Sequence, residues 1–219
     1  MLSSRSLIFF ENVPILSSMN VVALFLKVPV LGAVKTRLAK SLGDKGALMA
    51  YTDLVEFLLK RVGESRIHIH HTAEDPELMI AWLGQGYSYI AQEGSGLGER
   101  LIHAMVQEFA SDAEKLIFLG GDCPYVDQAR LDEAFAALDD HEVVMGPAAD
   151  GGYYLIGVKQ NRTELFEGID WGSETVCEAT LNICERKGLS VALLPEESDV
   201  DELQAWQKAK AFMASPSSS

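Results

Sequence analysis

The sequence predicts an α/β fold, a three-layer α/β/α arrangement around a mostly parallel mixed sheet. Three observations predict it. Two continuous apolar runs of strand length, Val21-Val22-Ala23-Leu24-Phe25-Leu26 and Leu116-Ile117-Phe118-Leu119, read as strands buried on both faces. Short apolar runs alternate with helical patterns along the whole chain, as the crossover units of a parallel sheet require. The link between the strands near Val144 and Tyr154 is too brief for a parallel crossover, so one strand is expected to run antiparallel.

The elements follow in order. After the first strand comes a polar loop, 27–40, and then a helix over 44–61, where Leu48, Tyr51, Leu54, Val55 and Leu58 recur at three- and four-residue spacing. A strand over 67–71, a helix over 76–83 and a strand over 87–91 come next. The helix predicted over 97–110 is opened by Gly96 and Gly98, and the second buried strand, 115–120, precedes a helix over 128–138. Strands over 143–146 and 153–158 are parted by a short polar loop. A helix over 174–187, a strand over 190–194 and a closing helix over 200–212 complete the pattern.

No interior stretch reads as a linker, so residues 19–212 are expected to form one domain. A chain of 219 residues buries about 70% of the surface its unfolded form exposes and needs no disulfide staple. In the leader, residues 1–18, Glu11 cuts short the apolar run Leu7-Ile8-Phe9-Phe10. It is expected to be a disordered extension rather than a signal peptide. The Ser- and Pro-rich end, 213–219, is expected to be a disordered tail. No stretch approaches the ~20 apolar residues that span a membrane. With 18 basic against 32 acidic residues the formal net charge is −14, which disfavours general nucleic-acid binding. Three cysteines without a CxxC pair or zinc spacing read as reduced thiols and point to a cytoplasmic protein. Homo-oligomerisation is left open.

In open α/β sheets ligands bind beyond the carboxyl ends of the strands, so the loops after strands carry the candidates. The loop after the first strand concentrates Lys27, Lys35 and Arg37 in an acidic chain, as a phosphate site or a solvated basic loop would. Neither GxxxxGK[ST] nor GxGxxG occurs there. Asp122, freed by Gly120-Gly121 and fixed by Pro124, suits a divalent metal, but equally a helix cap. Cys123 beside it has no evident activating base. The turn Asp150-Gly151-Gly152-Tyr153 permits close backbone approach to a ligand, or a simple hairpin. Asp199 and Asp201 could complete a metal site with Asp122 or cap the last helix. His68 and His70 share one strand face, with His71 opposite; a metal pair would need a third ligand, and none is near in sequence, so they are read as surface histidines. Trp171 is expected to pack or to stack on a substrate ring.

In order, these loops resemble a known family, the bacterial DUF2064 proteins of the nucleotide-diphospho-sugar transferase (GT-A-like) superfamily. Its members are often assigned as glycosyltransferases, some linked to arsenosugar biosynthesis. Its distant relatives include 2-phospho-L-lactate guanylyltransferases and molybdenum-cofactor nucleotidyltransferases. The resemblance runs from Met19 to about Trp206. It rests on Pro29 to Leu38 (family pattern P-x-P-G-x-V-K-T-R-L), on Gln92 and Gly94 with Leu97-Gly98-Glu99-Arg100, and on Gly121-Asp122-Cys123-Pro124. It continues through Gly146 to Gly157, Ile169-Asp170-Trp171 with Thr175-Val176, and Asp199-Val200-Asp201. Leu31 replaces the second proline of the first loop, Ser95-Gly96 stands where many relatives carry Asp, and Gly172-Ser173-Glu174 departs from the usual Ser-Thr after Trp.

The resemblance implies a Mg²⁺- or Mn²⁺-dependent transferase with a nucleotide donor, a nucleotide-sugar first. The alternatives are nucleotidyl transfer from a nucleoside triphosphate to a phosphorylated acceptor, and a silent nucleotide-binding protein. It implies that Asp122, with Asp199 or Asp201, holds the metal against the nucleotide's phosphates. Lys35 and Arg37 would meet those phosphates, and Gln92, Gly98 and Arg100 would frame the nucleotide. Asp150, Gly151, Gly152 and Tyr153, with Trp171, would face a small-molecule acceptor, Asp150 as a general base for its hydroxyl.

Overall fold

A computed structural model describes residues 19–73 and 76–215. The expected leader, 1–18, and the last four residues of the expected tail lie outside them. Seven strands, β1 (Asn20–Leu26), β2 (Arg66–His71), β3 (Ser88–Ala91), β4 (Lys115–Gly120), β5 (Val143–Pro147), β6 (Tyr153–Val158) and β7 (Val191–Leu193), form one sheet in the order β3-β2-β1-β4-β6-β5-β7. β6 runs antiparallel to both its neighbours, and every other pairing is parallel. The antiparallel strand expected from the short 147–152 link is therefore β6.

Six helices cover the sheet: α1 (Thr36–Arg61), α2 (Glu77–Leu83), α3 (Leu97–Ser111), α4 (Gln128–Asp140), α5 (Val176–Lys187) and α6 (Leu203–Ala214). Alternation along β1 and β4 divides the core between two faces. Val22, Leu24, Leu26, Ile117 and Leu119 pack against Val55 and Leu58 of α1, Met79 of α2 and Leu131 of α4. Val21, Ala23, Leu116 and Phe118 pack against Leu101 and Met105 of α3 and Ile183 of α5. α6 seals α1 through Leu38, Leu54, Val200, Trp206 and Ala209. Each buried strand thus supplies both faces, which is why its sequence is apolar without interruption.

Several boundaries move. The helix expected from residue 44 follows a break at Gly43 (φ 70°), but a further stretch from Thr36 precedes the break, so the loop expected to reach residue 40 ends at Lys35. A 3₁₀ turn, Thr163–Phe166, has no counterpart in the sequence pattern. α5 and α6 begin at Val176 and Leu203, later than expected, and α6 runs to Ala214, past the start assigned to the tail.

The histidines need correction. They lie in β2, between β1 and β3, with His70 and His71 each 1% exposed and His68 8%. Both imidazoles of one face meet Glu108 of α3: His68 Nδ1 lies 2.8 Å from Oε2, and His70 Nε2 2.8 Å from Oε1. A strand of polar letters was read as exposed because its partner, Glu108, sits 38 and 40 residues away. Among the described residues, no helix is long and apolar enough to cross a membrane.

Candidate functional site

The carboxyl ends of β1, β4, β5 and β7 and the amino end of the antiparallel β6 all reach one edge of the sheet. Two loops there are tied together: Ala149 N donates to Glu197 O (2.9 Å), and Val200 N to Asp122 O (3.2 Å). The second bond brings the 199–201 loop to the end of β4.

Neither carboxylate loop caps a helix. The cap of α4 is Asp127, whose carboxylate accepts from Arg130 N, and α6 has no side-chain cap. Asp122 and Asp201 meet Lys35 instead, whose Nζ donates to Asp122 Oδ2 (3.0 Å) and Asp201 Oδ1 (2.9 Å). Arg37 reaches the other oxygen of Asp201 at 3.6 Å. Lys35 sits in the left-handed region (φ 45°), alone among the described non-glycine residues, just before α1. Such strain persists only where surrounding contacts enforce it, and here it accompanies a buried ammonium between two carboxylates. Burial lowers the Lys35 pKa, but Asp122 and Asp201 outweigh it and raise it above the ordinary value.

The cluster still carries excess negative charge. Asp199 Oδ1 is buried with no hydrogen-bond partner. Burial first, then the charges of Asp122, Asp150 and Asp201, push its pKa up from 3.8 to about 8 against the opposing pull of Lys35. An orphaned carboxylate oxygen among like charges fits a bound cation. The described residues contain no ready cage of three or more ligating side chains. Mg²⁺ ordinarily takes only one or two carboxylates and completes its shell with phosphates and water, so this donor set suits it.

Beside the cluster opens a cavity of about 760 Å³. Eight of the residues singled out in the sequence line it: Arg37, Asp150, Gly151, Gly152, Tyr153, Trp171, Asp199 and Asp201. Asp122 and Lys35 join it through Asp201. Asp150 Oδ1 accepts from Gly152 N (2.9 Å), fixing the turn. Gly151 (φ 88°) lies so close to the Glu174 carbonyl that no side chain could be accommodated.

Four expected ligand contacts fall elsewhere. Lys27 is exposed and its backbone is pinned by Tyr51, whose hydroxyl donates to Lys27 O and accepts from Lys27 N. Gln92 donates to His70 O (2.7 Å) and accepts from Arg100, which also donates to Gly94 O, so this loop braces the ends of β1 and β2. Gly98 is a packing contact: a Cβ there would lie 2.5 Å from Trp171 Nε1 and 2.9 Å from Phe166 O. Cys123 is buried, which pushes its pKa up and removes it as a nucleophile.

The cavity also holds residues the sequence reading missed. Phe25 and Phe118 were taken as strand core, which they also are, and Leu97 and Glu174 stood in the family motifs without an assigned role at the site. Trp171 stands edge-on to Tyr153 (centroids 6.3 Å apart, 84°) and leans on Phe166. Phe25 stacks on His70 and meets the edge of Phe118.

The sequence profile of a family described as "uncharacterized protein conserved in bacteria (DUF2064)" matches residues 56–173, just over half of the chain. No curated protein matches. Among solved structures, a provisionally assigned nucleotide-diphospho-sugar transferase from Desulfovibrio desulfuricans G20 is 33% identical, with a TM-score of 0.86 over 91% of this chain and 90% of that one. Two more distant structures share the fold. A 4-diphosphocytidyl-2C-methyl-D-erythritol synthase from Anaerococcus prevotii DSM 20548 has 10% identity and a TM-score of 0.58, covering 90% of this chain and all of that one. An inositol-1-phosphate CTP transferase from T. maritima has 12% identity and a TM-score of 0.56, covering 90% and 97%. The loops around this edge, the strand order and these likenesses agree: the chain belongs to the DUF2064 family and has the nucleotide-diphospho-sugar transferase-like fold.

Proposed function

We propose that the protein is a metal-dependent transferase that takes a nucleotide-sugar as donor and passes its glycosyl group to a small-molecule hydroxyl. The Asp122–Lys35–Asp201 cluster with the orphaned Asp199, opening onto the cavity, carries this reading. The name given to the similar structure at 33% identity, a nucleotide-diphospho-sugar transferase, supports the donor class.

Lys35 and Arg37 bind and orient the donor's diphosphate at the carboxyl end of β1. Asp122, with Asp199 or Asp201, would hold Mg²⁺ or Mn²⁺, which would supply positive charge to stabilise the departing diphosphate. Asp150 has one oxygen fixed by Gly152 N, and the other makes no hydrogen bond among the described residues. It takes the acceptor's proton as the acceptor oxygen bonds to the anomeric carbon and the bond from that carbon to the diphosphate oxygen breaks. Nucleoside diphosphate is the leaving group. Holding acceptor and donor together in the cavity supplies much of the rate.

The alternative is nucleotidyl transfer with release of pyrophosphate. The Lys35–Arg37 pair favours it, because a triphosphate brings more negative charge to the loop. The cavity lining opposes it: one basic residue, Arg37, faces Asp150, Glu174, Asp199 and Asp201, a poor setting for a phosphorylated acceptor. Purified protein with Mn²⁺ and a panel of nucleotide-sugars and nucleoside triphosphates separates the two. Release of nucleoside diphosphate from a nucleotide-sugar is expected. Pyrophosphate release from a triphosphate, with no nucleotide-sugar consumed, would overturn the glycosyl reading.

A further inference from the structure

The aromatic half of the cavity lining has its own chemistry. Trp171 and Tyr153 form one wall, and Phe25 and the exposed Leu97 extend the apolar surface. Trp171 holds its position because Gly98 leaves no side chain in its way. Asp150 and Glu174, close in the chain to Tyr153 and Trp171, also line the cavity and have no ion-pair partner among the described residues; Arg37 is the one basic residue of the lining. Aromatic edges and faces in such a wall favour flat, apolar bodies. Two unpaired carboxylates repel a second anion.

We infer that this half is a subsite for an alcohol with a ring-sized apolar body and no negative charge, and that it excludes phosphate esters. The inference rests on the transferase reading for the role of that alcohol as acceptor, but the binding preference stands on the cavity itself. Gly98 and Trp171 act here as a pair, seated from the first turn of α3 and from the loop before α5, 73 residues apart in sequence. Neither contacts the Lys35 cluster. The subsite can therefore be altered without touching the donor end.

The test uses the full chain and two independent measurements. Saturation-transfer NMR compares 2-phenylethanol, 2-phenylethyl phosphate and glycerol as probes. Calorimetry with Mn²⁺ measures the binding of nucleoside diphosphates. Expected are transfer to the phenyl ring of 2-phenylethanol, little to glycerol, and affinity for the phosphate ester at least about tenfold weaker. Trp171→Ala should weaken 2-phenylethanol by about two- to tenfold and leave nucleoside diphosphate affinity unchanged. Glu174→Gln, at an exposed side chain whose loss does not threaten folding, should narrow the gap between alcohol and ester. Equal or tighter binding of the phosphate ester, or 2-phenylethanol affinity indifferent to Trp171→Ala, overturns this inference. Absence of nucleoside diphosphate binding would instead overturn the transferase reading, leaving the probe comparison to be scored by itself.

Discussion

Two of the ionic clusters among the described residues differ in how completely they are satisfied. Glu108 in the core accepts from both His68 and His70, is 2% exposed, and is closed in by α3 and β2. Burial raises its pKa, yet the histidine hydrogen bonds and charges outweigh this and hold it down at about 2. The Asp122–Lys35–Asp201 group at the sheet edge is open to a cavity, and Asp199 beside it has a buried oxygen without a partner and a pKa pushed up to about 8. Buried polar groups that serve structure are paired. Unbalanced charge beside a cavity marks a place where a ligand completes the balance. The first cluster holds the fold, and the second is where the proposed cation and phosphates would bind.

That contrast can be broken at either end. The largest effect is expected from Asp122→Asn. Turnover of a nucleotide-sugar should fall by about a hundredfold or more while the circular dichroism melt stays cooperative. Glu108→Ala should do the reverse. It leaves two buried imidazoles unpaired and should cost about 3 kcal/mol in urea unfolding, with little change in nucleotide affinity of the folded fraction. Its pH signature has a definite sign. Because the folded pKa lies near 2 and the ordinary value is 4.5, the Glu108 contribution is full above about pH 4.5 and is lost as pH falls towards 2. Acid unfolding of the variant should lack that component.

Asp199→Asn should stabilise the protein in EDTA at neutral pH by about 1 kcal/mol, since it spares folding the proton uptake that burial and three carboxylates impose on Asp199, and should shrink the rise in melting temperature produced by Mn²⁺. A destabilised variant would mean that the Asp199 charge is compensated after all. The smallest effect belongs to Lys27→Ala, whose side chain is exposed and away from the cavity. Nucleotide affinity measured by calorimetry should change by less than about twofold.

The same contrast explains what could be read from the letters. β1 and β4 were legible because strands buried on both faces need continuous apolar runs, and the antiparallel β6 because its link to β5 is too short to cross the sheet. The Glu108 cluster was illegible: His68 and His70 look polar in isolation, and burial became possible only through a helix residue far along the chain. At the sheet edge, Arg37, Asp150 and Asp201 were findable as polar residues on loops after strands. Lys27 and Gln92 share that description, yet they lie outside the cavity wall, because a loop's composition does not say which way its side chains face. Gly98 shows the limit most clearly. The family resemblance implied a nucleotide contact there, and the structure adds a packing role, room for Trp171, that no local pattern announced.

The central claim is that the Asp122 cluster binds a nucleotide's phosphates through a divalent cation. Calorimetric titration of nucleoside diphosphates into wild-type protein and Asp122→Asn, each with Mn²⁺ and with EDTA, tests it most directly. Binding to wild type that requires Mn²⁺ and is lost in Asp122→Asn is the predicted result. Equal affinity in all four titrations, or no binding in any, would contradict it.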